Sequence, residues 1–193
     1  MKRILFFLIV IMSSIAVQAQ QKITVEQIWQ DYLFTAKSVP GFNFLNDGKH
    51  YTRLESNKIQ QYDLTTGNLI KTLFDAATAK GFKGNVDSYS FSADESKILI
   101  QTESESVYRH STLGNFFVFD RKSGMATAVY ERGKHRNAVL NAGADKVAFV
   151  YENNLYFKDL ATGLVRPVTK DGKMNEIING ATDWVYEEEF SFD

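Results

Sequence analysis

With 193 residues, the chain is long enough to form one domain with a buried core. A hydrophobic content of 44% and an aromatic content of 13% exclude a disordered or low-complexity protein. The 22 basic and 23 acidic residues give a net charge of −1 and form no basic stripe, so nucleic acid is not an expected partner.

The first predicted element is a cleaved signal peptide at residues 1–19. Lys2 and Arg3 form a positive start, Ile4 to Met12 are all apolar, and small residues near Ala19 suit cleavage. A membrane anchor is the alternative, but nine uninterrupted apolar residues are few for a spanning helix, which needs about 20. We therefore expect export, to the periplasm or to the extracellular space.

Residues 20–40 are expected to form an N-terminal helical segment. Thr24 is followed three residues later by Gln27, which is typical of a capping box. The apolar residues that follow recur at helical spacing: Val25, Ile28, Trp29 and Leu33. The sequence predicts a helix over about 25–36, ending before Pro40.

From residue 41 onward, short runs of alternating apolar and polar residues are separated by turn residues. Two sequence phrases recur three times each along the chain: the first is an apolar run, a polar turn that contains Asp and Lys, and a second apolar run, and the second phrase follows it. In the second phrase an Asp precedes a Gly by four residues, at Asp63–Gly67, Asp120–Gly124 and Asp159–Gly163. The Asp can accept hydrogen bonds from the turn backbone and the Gly can take a positive φ, so each phrase predicts a hairpin corner. Two hairpins make a four-stranded unit, and repeated units of this kind indicate a β-propeller. A β-sandwich is the competing architecture.

The spacing of these phrases locates an insertion in the second unit. In each unit the first hairpin contains a Lys and the second contains the corner Asp. The distance between them is 14 residues from Lys49 to Asp63, 23 from Lys97 to Asp120 and 13 from Lys146 to Asp159. The second unit therefore carries nine or ten extra residues, around "TESESVYRHSTLGN". We expect an all-β fold, a partial propeller of about three and a half four-stranded blades over residues 41–193, preceded by the short helix. Because propellers close with at least about four blades, the sequence looks like the front part of a longer protein.

Within the insertion, Arg109 is the first candidate for a functional side chain. A surface arginine on a long loop is the simpler explanation, but insertions on a propeller scaffold tend to carry function. Its planar guanidinium suits a carbonyl or a carboxylate. His110 and Ser111 are adjacent and do not make a catalytic pair, which needs converging side chains and a third orienting group.

Other catalytic chemistry is not expected from this sequence. It contains no cysteine, no Gly-x-Ser-x-Gly motif, and only three histidines, which show no metal-ligand spacing. We therefore expect neither a catalytic residue, a metal nor a cofactor in this chain.

The second candidate site is the acidic run in "ATDWVYEEEFSFD", residues 181–193. If residues 184–189 form a strand, Glu187 and Glu189 share one face and Glu188 lies on the other. If Asp183 instead caps a short helix, the glutamates occupy its first turns, where negative charge is favourable. Neighbouring side chains on a helix are about 100° apart, so two adjacent carboxylates can point toward one site. A solvated acidic helix is the alternative, although Trp184 and Tyr186 could exclude water from the carboxylates.

These residues carry a resemblance to a known family. The stretch "NGATDWVYEEEF" resembles a segment of the dipeptidyl peptidase IV family of serine exopeptidases, and "VYRHS" resembles the arginine loop of that family. The "VEQIW" helix and the "DLTTG" corners are also similar to its propeller domain. The resemblance implies that Glu188 and Glu189 bind the free α-ammonium of a peptide substrate and that Arg109 contacts the peptide backbone carbonyl.

The same resemblance implies a larger enzyme than this sequence. Family members join an eight-bladed propeller to an α/β-hydrolase domain with a Ser-Asp-His triad, and they release N-terminal Xaa-Pro or Xaa-Ala dipeptides. The expected partners are peptides with a free N-terminus and the hydrolase domain, which this sequence lacks; the resemblance also allows a homodimer of the full-length protein. Two alternatives stay open: a non-catalytic exported propeller that binds peptide or protein partners, and a related tripeptidyl peptidase.

Overall fold

The computed structural model describes residues 22–38 and 41–192. The chain divides into two compact units, residues 1–39 and 40–193. The predicted signal peptide at 1–19 lies outside the described residues. Within the described ranges, no helix is both long and apolar enough to cross a membrane.

The described part of the first unit contains one short helix, α1, Val25–Trp29. The predicted capping box is confirmed: Thr24 accepts a hydrogen bond from the backbone N–H of Gln27, and the Gln27 side chain accepts one from Thr24. The predicted extent of 25–36 is wrong, because the helix ends at Trp29 and Tyr32 takes a left-handed φ of 51°. None of its residues is buried within the described structure, and so short a helix gains little from its own hydrogen bonds.

The second unit consists of three four-stranded antiparallel sheets, which confirms the all-β propeller type of fold. We call them blades 1, 2 and 3, and each has its strands in sequence order. Blade 1 is β1 Phe42–Phe44, β2 His50–Glu55, β3 Lys58–Asp63 and β4 Leu69–Asp75. Blade 2 is β5 Ser88–Phe91, β6 Lys97–Ser106, β7 Thr112–Asp120 and β8 Met125–Ala128. Blade 3 is β9 Arg136–Leu140, β10 Lys146–Tyr151, β11 Asn154–Asp159 and β12 Val165–Pro167.

The three predicted corners have the same geometry. In each, the glycine N–H donates to the carbonyl of the aspartate four residues earlier at 2.9 Å, and the glycine φ lies between 69° and 72°. The aspartate side chain also accepts hydrogen bonds from the backbone N–H groups two and three residues further on. The positive φ explains why glycine occupies this position, since other residues rarely adopt it.

The core lies between the blades and consists of two clusters. Successive side chains along the strands of blade 2 point to opposite faces of the sheet, so this blade contributes to both clusters. One cluster is buried between blades 1 and 2 and includes Ile98, Ile100 and Phe119 on one face of blade 2. The second lies between blades 2 and 3 and includes Leu99 and Val118 on the opposite face. Alternate residues of one strand point to opposite faces, so blade 2 is covered on both sides. The three sheets do not close into a ring.

After β12 the chain forms helix α2, Trp184–Phe190, and no strand of a fourth sheet occurs up to residue 192. Of the two alternatives for this stretch the helix is the one observed: Asp183 is the N-cap, and its side chain accepts a hydrogen bond from the backbone N–H of Tyr186 at 3.0 Å. Ser191 ends the helix in the left-handed region with a φ of 54°. The three glutamates therefore lie on a helix and not on a strand.

Candidate functional site

The insertion extends the β6–β7 hairpin of blade 2 beyond the other blades. β6 and β7 have 10 and 9 residues, whereas the central strands of blades 1 and 3 have six each. At the far end, Ser106 pairs with Thr112, and the N–H of Val107 donates to the carbonyl of Ser111 at 2.9 Å. This tip, residues 107–111, is called the arginine loop below. It brings Arg109 to α2, which lies more than 70 residues later in the sequence.

Glu187 connects α2 to the backbone of this loop. Its Oε1 accepts hydrogen bonds from the N–H groups of His110 at 2.8 Å and Ser111 at 2.9 Å. It is 1% exposed and is the only buried residue of the helix. Burial acts to raise the pKa of Glu187, but hydrogen bonds from Ser111 and His110 outweigh it, so the pKa lies below its usual value. Glu187 is therefore an ionised carboxylate held by backbone donors.

Glu188 contacts Arg109 through both of its oxygens. Oε1 accepts a hydrogen bond from the Arg109 backbone N–H at 3.1 Å, and Oε2 lies 3.0 Å from Nε of the Arg109 guanidinium. The Glu188 side chain is 9% exposed and that of Arg109 is 72% exposed. The ion pair therefore holds the guanidinium of Arg109 at its Nε, while the rest of the guanidinium stays exposed to solvent.

Glu189 is exposed and makes no ion pair or hydrogen bond with the described residues. Together, Glu188, Glu189 and Arg109 carry two negative charges and one positive charge, which leaves one negative charge in excess. An incoming group with a single positive charge and several N–H donors would complete this arrangement. The structure thus brings Arg109 and Glu188 together, as expected for one site, and places Glu189 next to them on the helix. Which substrate groups they contact stays a prediction.

The role of Glu187 was missed in the sequence. Nothing distinguishes it from its two neighbours in a run of three identical residues, and the family resemblance assigns it no substrate contact. Its burial depends on where the arginine loop packs, which is a long-range contact. The burial of Glu187 could be predicted from the sequence only if the contact between residues 107–111 and 184–190 were known beforehand.

The histidines do not form a site with each other. His50 is the first residue of β2, with its Nδ1 2.6 Å from Oδ2 of Asp47, and His135 is fully buried among aromatic rings of blades 2 and 3. Burial lowers the pKa of His135, which suits a neutral core residue. Across residues 22–38 and 41–192, no group of three His, Asp or Glu residues could hold a metal ion.

The fold is that of an open portion of a β-propeller, and comparisons with known proteins identify the family. A family model described as the dipeptidyl peptidase IV N-terminal region matches residues 92–193, more than half of the chain. The chain therefore belongs to this family.

Known relatives agree with this assignment. Dipeptidyl aminopeptidase B of Saccharomyces cerevisiae is 30% identical over 188 residues, which cover 78% of this chain and 22% of the relative. Prolyl endopeptidase FAP of Homo sapiens is 26% identical over 148 residues, covering 76% and 19%. The crystal structure of dipeptidyl peptidase 4 of Porphyromonas gingivalis superposes with a TM-score of 0.82 at 30% identity, covering 91% of this chain and 26% of that one.

The chain spans between about a tenth and a quarter of the length of these and similar proteins. The comparisons therefore support a dipeptidyl peptidase IV-like propeller portion.

Proposed function

We propose that this chain is the substrate-binding propeller portion of an exported serine exopeptidase that releases N-terminal Xaa-Pro or Xaa-Ala dipeptides. The observation that carries the proposal is the contact between Glu188 and Arg109 beside the unpaired, exposed Glu189. It supplies two adjacent carboxylates and a guanidinium that is anchored at one end and open at the other.

The two carboxylates are suited to the α-ammonium of a peptide. An ammonium has three donors and one charge, so Glu188 and Glu189 can each accept one of its hydrogen bonds. Exposed ion pairs contribute about 0 to 1 kcal/mol, whereas charge-assisted hydrogen bonds that are partly shielded contribute about 1.5 to 3 kcal/mol. An internal peptide segment offers only a neutral amide there. The site would therefore select chain ends, which is the property of an exopeptidase.

Arg109 has a separate role in the proposal. Its Nε is occupied by Glu188, so its two terminal NH₂ groups remain for a peptide carbonyl oxygen. Holding the terminus and the first carbonyl together would place the second peptide bond at a fixed distance from a nucleophile. The serine nucleophile and its triad belong, in this proposal, to an α/β-hydrolase domain of the same protein, and residues 1–19 direct its export.

Two readings of the same site remain as outcomes of the test. A tripeptidyl peptidase would hold the terminus in the same way at a different distance from the nucleophile. A non-catalytic propeller would bind peptide ends without cleaving them.

The test uses the protein expressed from its complete gene. Ala-Pro-p-nitroanilide with a free amino terminus is compared with its N-acetylated form, which has no ammonium. We expect cleavage of the free form and at least a hundredfold lower kcat/KM for the acetylated form. Equal cleavage of both would refute the ammonium site, and binding of the free form without any cleavage would favour the non-catalytic propeller. Release of tripeptides from a longer Ala-Pro-Ala peptide would favour the tripeptidyl peptidase.

A further inference from the structure

A cavity of about 310 Å³ lies between blades 2 and 3. Strands β5, β6, β7 and β9 line it, together with His110 and Ser111 of the arginine loop and Thr182, just before α2. It therefore adjoins the helix–loop contact, but it contains none of the three predicted substrate-binding residues.

Arg136, the first residue of β9, lines this cavity and is only 9% exposed. Its side chain forms no ion pair and donates no hydrogen bond to any residue in the described ranges. Two half-buried arginines, which are more exposed than Arg136, do have partners: Arg53 pairs with Glu55, and Arg121 donates to the carbonyl of Glu95. A guanidinium does not lose its proton in a protein, so Arg136 is a largely buried positive charge that still reaches solvent through the cavity and has no acidic partner in the described ranges.

The other groups around the cavity do not supply that counter-charge. No Asp or Glu lines it. The Gln101 side chain is engaged on both sides, accepting from the Ser88 hydroxyl at 3.0 Å and donating to Thr112 Oγ1 at 2.9 Å. The Asn137 amide donates to the carbonyl of Gly180 at 3.1 Å. Burial of an unpaired charge is unfavourable unless water or an anion compensates it.

We propose that this cavity binds a carboxylate group, with Arg136 as its counter-charge. The planar guanidinium matches the two oxygens of a carboxylate in a paired, two-bond contact. One arginine supplies one positive charge, so a monoanion is neutralised, whereas a phosphate dianion would keep an uncompensated charge. The free Ser90 hydroxyl and the ring of His110 at the cavity wall complete a polar surface for such a ligand.

Two sources of the carboxylate share this chemistry. One is an acidic side chain of a peptide whose terminus is held at Glu188 and Glu189, because the cavity and the ammonium site meet at the arginine loop; this source rests on the proposed function. The other is a small free carboxylate, which needs no ammonium and does not depend on that proposal.

The experiment compares four probes on the protein expressed from its complete gene: Glu-Ala-amide and Gln-Ala-amide, each with a free and with an acetylated amino terminus. Binding is measured by calorimetry, on a variant with the nucleophile removed if cleavage occurs. We expect the Glu probe with a free terminus to bind about tenfold to a hundredfold more tightly than its Gln counterpart. Arg136→Gln should abolish this preference, and Arg166→Gln, which changes an exposed arginine of the same blade, should preserve it.

The four probes separate the sources and the two proposals. A Glu preference only with a free terminus identifies the peptide side chain, and a preference with both termini identifies a free carboxylate. Equal binding of Glu and Gln probes overturns the cavity proposal. Equal binding of free and acetylated probes instead overturns the ammonium site. If Arg136→Gln does not fold, Arg136→Lys keeps the charge but loses the planar fork, and it should weaken the Glu preference; an unchanged preference in that variant would also overturn the proposal.

Discussion

The two ends of the β6–β7 strand pair in blade 2 are built in different ways. At one end, Lys97 lies opposite Asp120, with Nζ and Oδ2 3.0 Å apart, and Asp120 also accepts hydrogen bonds from the next turn. The aspartate–glycine turn recurs in blades 1 and 3 with the same glycine geometry, but a lysine lies opposite the aspartate only in blades 2 and 3, since His50 lies opposite Asp63 in blade 1. At the other end, the arginine loop has no counterpart in blades 1 and 3, and its polar contacts reach α2, more than 70 residues away.

The difference separates residues that stabilise the fold from residues that are available for binding. The turn at the repeated end is held by hydrogen bonds within four residues of its aspartate, so the same turn forms in each of the three blades. The arginine loop is held by two carboxylates, Glu187 and Glu188, and its guanidinium remains largely exposed. Substitutions at the loop end should therefore change activity, whereas substitutions at the repeated end should change stability alone.

The largest effect is expected for Glu188→Gln in the protein expressed from its complete gene. This substitution removes an ammonium ligand and, at the same time, the charge that holds Arg109. At about 1.5 to 3 kcal/mol for each charge-assisted bond, kcat/KM on Ala-Pro-p-nitroanilide should fall about a hundredfold or more. Glu189→Gln removes the ammonium contact alone, so kcat/KM should fall about ten- to hundredfold. An ester probe without an ammonium is the control; an equal loss on that probe would show that the glutamates are structural.

Arg109→Ala should have the next largest effect. It leaves both carboxylates in place but removes the contact proposed for the peptide carbonyl, so we expect a drop in kcat/KM of about tenfold. Arg109→Lys should recover little, because an ammonium cannot bond Glu188 and a carbonyl in the same fixed geometry. Full activity of Arg109→Ala would contradict a role in binding the peptide backbone.

A smaller and more selective effect is expected at Glu187. Glu187→Gln keeps an oxygen that can accept from the N–H groups of His110 and Ser111, so kcat/KM should change less than for Glu188→Gln. Glu187→Ala removes that acceptor and leaves the two backbone donors unsatisfied, so the loop should become mobile. Amide hydrogen exchange at residues 107–111 is the measurement: we expect faster exchange in Glu187→Ala than in Glu187→Gln. Equal protection in both variants would show that the loop does not depend on this carboxylate.

The smallest effect is expected at the repeated end, from Asp120→Asn. The ion pair with Lys97 is partly exposed, so its loss should lower the free energy of unfolding by only about 0 to 1 kcal/mol and leave kcat/KM unchanged. Asp159→Asn is the matched control, because its Lys146 partner is 4.0 Å away and its loss should matter less. A change in kcat/KM for Asp120→Asn would contradict the claim that substitutions at the repeated end change stability alone.

The same aspartate gives a pH dependence with a defined sign. Hydrogen bonds from Ser123 and Lys97 lower the pKa of Asp120 to about 2 in the folded protein, whereas an unfolded Asp has a pKa of about 3.9. Its contribution to stability is therefore complete above about pH 4 and is lost as the pH falls toward 2. Thermal unfolding between pH 5 and 2 should show a smaller loss for Asp120→Asn than for the wild type; parallel curves would exclude Asp120 as a contributor.

Local chemistry explains which predictions from the sequence were confirmed. The corners at Gly67, Gly124 and Gly163 depend on residues at most four positions apart, so the sequence alone was sufficient for them. The capping box at Thr24 and the N-cap at Asp183 are local in the same sense. The error in the length of α1 has the complementary cause: apolar residues at helical spacing do not extend a helix whose residues have no core to pack against in the described structure.

The sequence by itself determined the four-stranded repeat and the position of the insertion, because each follows from spacing along the chain; for Glu187, Glu188 and Glu189 it left a strand and a helix open. Only the tertiary structure decided that Glu187 is buried, that Glu188 pairs with Arg109, and that Arg136 lies unpaired in a cavity. These three results depend on how blades 2 and 3 and the arginine loop pack against one another. Burial and pairing of a charge are set by neighbours that are distant in sequence, and three identical glutamates in a row give no local sign of which one will be buried.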